Sequence, residues 1–183
     1  GVSTLAAQKI WFDDTVQRLN IDERGELLGE FAGEDKILVI SQSGEYQLLG
    51  FDMSTHFPED MVVLEKFVPK KPLSAIYWDG SKSKFYIKRF LAEPSDKKVS
   101  FISDSEGSYL EVVSTDTIPV AEIEFTKERN KDQRPNEQIN FEEFIAVKGL
   151  KAQGNTLTTY KVKSINLVAP LEPPVETPSP EEP

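Results

Sequence analysis

Short runs of β-branched and aromatic residues alternate along most of this chain with clusters of Ser, Asp and Gly. Residues 37–40 (ILVI), a turn at 41–44 (SQSG) and a second run at 45–49 (EYQLL) make the cleanest copy. Residues 74–78 (SAIYW), 79–83 (DGSKS) and 84–88 (KFYIK) repeat it. Residues 99–102, 103–107 and 108–113 form a third copy; residues 144–147, Lys148-Gly149 and 160–165 form a looser fourth. A degenerate copy runs from residues 9–12 to Leu27-Leu28. Turn formers between runs of strand propensity predict a β-hairpin each time. Repeated hairpins cannot bury their faces singly and must stack around shared cores. No long segment keeps a helical period, so the fold class expected is all-β: repeated antiparallel blades in one disc-like body. Residues 51–65 and 122–143 read as irregular connections, the polar stretch 127–135 as a mobile excursion.

From Pro170 the composition shifts to Pro and Glu with few apolar residues, so residues 170–183 are expected to form an extended, disordered tail ending the chain. The folded domain is therefore residues 1–169. Gly1 to Gln8 lacks the basic and apolar sections of a signal peptide, and the chain is expected to begin further upstream. No apolar run approaches the ~20 residues of a membrane helix. Membrane association is not expected.

There is no cysteine, which removes disulfides, thiolate metal sites and cysteine nucleophiles and suits a reducing cytoplasm. The single histidine, His56, sits in a turn-like segment and reads as a solvated loop residue. Acidic pairs at Asp13-Asp14, Glu59-Asp60 and Glu142-Glu143 are adjacent in sequence, and neighbours on a strand point to opposite faces, so none is a glycosidase dyad. No Gly-x-Ser-x-Gly elbow, phosphate-binding glycine loop or calcium-loop spacing is present. The chain by itself is expected to be no enzyme, with no catalytic residue, metal site or cofactor.

Charge changes the picture. The formal net charge is −10. Yet residues 66–98 carry nine basic side chains against three acidic ones, whereas residues 1–65 carry four against thirteen. At physiological salt the screening length is ~8 Å, so a ligand feels the local patch more than distant acid. Lys66, Lys70 and Lys71 precede the second hairpin, Lys82, Lys84, Lys88 and Arg89 lie within it, and Lys97 and Lys98 follow. Lys84, Tyr86 and Lys88 share parity on the second strand and are expected on one cationic outer face, with Phe85, Ile87 and Phe90 buried. Such a face holds phosphates as point charges without reading sequence. The alternative is a repeat-built β module for protein–protein contact whose lysines are merely solvated.

The repeats also resemble the C-terminal domain of the A subunit of bacterial type IIA topoisomerases, over most of residues 8–168. Gly149-Leu150-Lys151-Ala152-Gln153-Gly154 is loosely similar to that family's Gly-Arg-x-Thr-x-Gly-Val segment. Residues 36–46 resemble its blade core, and residues 75–90 resemble the form found in topoisomerase IV A subunits of Bacteroidetes-type bacteria. The resemblance implies a propeller-like β-pinwheel, short or broken, with about three or four blades. It implies a duplex-DNA-binding accessory domain that captures and bends DNA for relaxation or decatenation by an ATP-dependent enzyme. The catalytic core of the A subunit and the ATPase B subunit become the implied partners, and ATP and Mg are needed only there. It adds Lys148 and Lys151 to the candidate DNA contacts. The Gln-Arg-Arg-Gly-Gly-Lys-Gly-like box of gyrases has no match here, with Arg24-Gly25 the nearest fragment, which favours a topoisomerase IV-like parent.

Overall fold

The computed structural model describes residues 6–173. Its fourteen strands form four antiparallel sheets that stack in a row. The first holds β1 (Gln8–Asp13), β2 (Arg18–Asn20) and β3 (Glu26–Phe31) in the order β2-β1-β3. The second holds β4 (Ile37–Ser41), β5 (Glu45–Leu49), β6 (Met61–Lys66) and β9 (Val99–Ser100), in the order β6-β4-β5-β9. The third is β10-β7-β8-β13, from β7 (Leu73–Asp79), β8 (Lys84–Phe90), β10 (Tyr109–Ser114) and β13 (Asn155–Thr156). The fourth is β12-β11-β14, from β11 (Ile118–Phe125), β12 (Glu137–Asn140) and β14 (Val162–Leu171). The one helix among the described residues, α1 (Phe141–Phe144), is a single turn capped by the Asn140 side chain.

The stacking follows from period-2 alternation on strands covered on both faces. On β4, Ile37 and Val39 join Ile10, Phe12 and Phe31 in the core between the first two sheets. Leu38 and Ile40 point the other way, into the core with Tyr46, Leu73, Ala75 and Phe90 between the second and third. Ile76 and Ile87 then meet Ala121, Ile123 and Phe125 between the third and fourth. At roughly 1.5–3 kcal/mol per fully buried large side chain, these three cores dominate the stability. No buried cluster among the described residues joins the first sheet to the fourth, so the row of blades is open.

The hairpins β4–β5 and β7–β8 form as their turns predict, with registers Ile40↔Tyr46 and Ile76↔Ile87. Residues 99–113 do not form the third hairpin. β9 leaves to pair with β5, and β10 pairs with β7. The fourth expected hairpin is also absent, because residues 141–144 are helical, β13 pairs with β8 and β14 with β11. The third and fourth blades thus each send one short strand back to the outer edge of the blade before. These exchange strands are set by long-range pairing, and each inserts an apolar residue just beyond itself: Phe101 after β9 and Leu157 after β13. The expected connections hold structure too: β6 lies within residues 51–65, and β12 with α1 within 122–143. The last strand continues through Leu171, which pairs with Ile118. Residues 174–183 of the Pro/Glu tail lie outside the described residues.

Candidate nucleic-acid interface

The cationic face expected on β8 is not there. Lys88 is 4% exposed and Arg89 6%. β8 is a central strand covered on both sides from Tyr86 onward, so over that length neither parity reaches solvent. Lys84, Tyr86 and Lys88 do share parity, but beyond the exposed Lys84 that face turns inward, and Phe90 lies on it in the core with Tyr46 and Phe101. Phe90 therefore belongs with Lys88, not with Phe85 and Ile87. The Arg89 Nε donates to the Ser74 hydroxyl at 3.0 Å and Nη2 to the Thr117 carbonyl at 3.3 Å, so its guanidinium is a structural brace.

Lys88 has a different use. Its Nζ donates to the Phe101 carbonyl and to the Leu150 carbonyl, each at 2.8 Å, and lies 5.0 Å from the Phe90 ring centroid. Phe101 follows β9 and Leu150 precedes β13, so one ammonium joins the two exchange segments. No carboxylate accompanies it, and burial pushes its pKa down to about 8.

Around this staple lie the exposed lysines. Lys97 and Lys98 precede β9, and Lys148 and Lys151 precede β13. The Lys148 N–H donates to the Arg89 carbonyl at 2.9 Å, fixing the start of that segment against the end of β8. Lys82, at the β7–β8 tip, reaches the Gln153 Oε1 at 3.1 Å and lies over the Tyr86 ring. The tip is itself rigid. Asp79 accepts from the Ser81 N–H and hydroxyl, the Lys82 N–H and the Ser105 hydroxyl, and the first of these hydroxyls leads in holding its pKa down to about 2. Lys148 thus starts, at the far end of β8, the segment that passes Lys151 and reaches Gln153 beside Lys82 at the tip, and the staple ties that segment to the one that follows Lys97 and Lys98. None of these side chains forms an ion pair among the described residues.

The leading lysines stand apart. Lys66 donates to the Glu30 carbonyl at 2.7 Å and pairs with Asp35 at 3.6 Å; Lys71 pairs with Glu65 at 3.2 Å. Their charge is largely met within the chain. Lys70 is exposed in the turn after β6. Lys84 is exposed and faces a groove toward the fourth sheet that charge counting along the sequence does not reveal. His56 is exposed in the loop before β6. Among the described residues no group of three or more His, Cys, Asp or Glu side chains is arranged to hold a metal ion, and no helix is long and apolar enough to cross a membrane.

No curated protein sequence matches the chain. The family model described as the topoisomerase C-terminal domain of Bacteroidota matches residues 18–169, which run from β2 into β14 and take in the hairpins, both exchange strands and the staple between them. This chain belongs to that family, as an accessory domain of a topoisomerase.

Proposed function

We propose that this chain is the DNA-holding C-terminal domain of the A subunit of a type II topoisomerase. It binds duplex DNA through phosphates and bends it for relaxation or decatenation by an ATP- and Mg-dependent catalytic core carried elsewhere, in the cytoplasm. The observation that carries the reading is that the exposed Lys82, Lys97, Lys98, Lys148 and Lys151 sit on segments tied to one another by the Lys88 staple and the Lys82–Gln153 contact. An edge of short exchange strands bearing flexible ammonium groups suits a backbone that must be held without regard to sequence. Lys70 and Lys84 are exposed but are held by neither contact and stand outside that surface. Lys66 and Lys71, already paired with acid, contribute little, and Lys88 and Arg89 act only by shaping the surface.

Fluorescence anisotropy with a duplex of ~40 base pairs, titrated across salt, tests this. Contacts to about four or five phosphates give a slope of log K against log salt of roughly −4, with Kd in the ~10⁻⁴ to 10⁻⁶ M range of non-specific complexes. Replacing Lys82, Lys97, Lys148 and Lys151 by Glu abolishes binding on every sequence alike. Lys9→Glu with Arg18→Glu, on the acidic first sheet, leaves it unchanged. Absence of binding by the unaltered domain at low salt would leave the protein-contact module as the better reading.

A further inference from the structure

The polar stretch 127–135 reads in sequence as an excursion whose basic residues are diluted by Glu128 and Asp132. In the fold it forms one wall of a groove. Two cavities of about 400 and 380 Å³ share Thr126, Tyr160 and Lys161 and so run together between the β7–β8 tip and the fourth sheet. Volumes of this size fall in the range of small-ligand sites. Lys131 and Arg134 line one end, and Trp78, Lys84 and Phe85 the other.

The chemistry of the lining is specific. The Arg134 guanidinium lies 3.3 Å from the Tyr160 ring centroid and 5.5 Å from that of Phe125. That stack fixes the tyrosine, which is still 52% exposed. Trp78 meets Phe85 edge-on at 4.8 Å at the other end of the groove. Lys131 is paired with Glu128, but no ion pair among the described residues engages Lys84, Arg134 or Lys161. Exposed aromatic surface beside cations, with Glu128 and Asp132 toward the Lys131 end, matches a ligand that is planar and apolar in one part and anionic in the next.

We propose that this groove binds a single, unpaired nucleic-acid strand, with a base on Tyr160 and phosphates at Lys84, Arg134 and Lys161. An intact duplex hides the faces of its bases, whereas an unpaired base offers a π-face to any aromatic side chain. The inference rests on the DNA-binding reading for its class of ligand, but it uses residues outside the stapled lysine surface, so each fails separately.

The test uses oligothymidylate of about ten nucleotides at low salt, followed by anisotropy and by quenching of tryptophan emission. Trp78 lines the groove, and the other tryptophan, Trp11, lies on the first sheet, so a Trp78→Phe variant that loses the quench locates the strand. Tyr160→Ala is expected to weaken binding roughly 5- to 150-fold, the equivalent of one base–aromatic stack. Tyr160→Phe retains it, and duplex binding is unaffected by either. The exposure of Tyr160 keeps the variant folded, which an unchanged melting temperature checks. Equal affinity of Tyr160→Ala and the unaltered protein would overturn the inference. So would oligothymidylate binding that falls in step with duplex binding when Lys148 and Lys151 are reversed. Duplex binding without oligothymidylate binding would sink this inference alone, and oligothymidylate binding without duplex binding would sink the duplex reading alone.

Discussion

Replacing Lys88 by Met probes how this domain is joined. The neutral amine has two N–H donors, and two carbonyl oxygens at 2.8 Å await them. The third proton of the ammonium finds only the Phe90 ring, 5.0 Å away. Desolvation therefore favours the neutral form, and the pKa falls from the ordinary 10.5 to about 8. A group whose folded pKa is depressed in this way binds its proton more tightly when unfolded. Stability from this group is lowest below pH 8 and rises as pH climbs from 8 toward 10.5. Integrated, the gain between pH 7 and pH 10 is about 2–3 kcal/mol. At pH 7, Lys88→Met removes the charge-burial cost but leaves two carbonyls without donors, at ~1–3 kcal/mol each, so the two effects largely offset one another. The stability of the unaltered protein relative to the variant must then rise by about 2–3 kcal/mol between pH 7 and pH 10. Tyr77, pushed up to about 12 mainly by burial, begins to lower stability above pH 10 in both proteins and cancels in the difference. Urea unfolding of both proteins at pH 7, 8, 9 and 10 measures this. Parallel stabilities across that range would refute the reasoning.

Other outcomes follow from the same contacts. Asp79 contributes stability that is present above the ordinary carboxylate pKa of 3.8 and is lost as pH falls toward about 2; Asp79→Ala, leaving the tip donors unmet, should cost about 2–3 kcal/mol in urea at pH 7. A Cβ at Gly80 would stand 2.0 Å from the Glu106 carbonyl oxygen, so Gly80→Ala should lower stability by more than about 2 kcal/mol, while Gly50→Ala, with nothing within 4 Å, should be neutral or slightly stabilising. The Tyr46 hydroxyl donates to the Glu93 carbonyl at 2.8 Å and accepts from the Glu93 N–H at 2.9 Å, so Tyr46→Phe should cost about 1–3 kcal/mol, read as a lower urea midpoint at unchanged slope.

The all-β class and the two clean hairpins were legible because each depends on a turn within a few residues of its strands. Ser-Gly at residues 43–44 and Asp-Gly at residues 79–80 suffice for β4–β5 and β7–β8. The exchange strands were not legible. β9 and β13 are two residues long, and their partners lie some fifty to seventy positions away, so no local propensity marks them. Separation along the chain also hid the groove, where Arg134, before β12, and Tyr160, before β14, meet on either side of β11. Lys88 and Arg89 were misassigned because alternation fixes which residues share a face and not whether that face meets water. On β8 both faces are covered, and a run such as residues 84–90 reads like an amphipathic edge strand only if one side is assumed wet. The family resemblance survived this error because it rests on the order of the blades.

The most direct test of the stapled lysine surface is the acetylation of each lysine, followed by mass spectrometry, with and without bound duplex. The account predicts that Lys82, Lys97, Lys98, Lys148 and Lys151 are protected together by DNA, that Lys9 and Lys36 are not, and that Lys88 reacts slowly in both states because it is buried. Protection confined to lysines outside this set, or fast modification of Lys88 in the free domain, would contradict it.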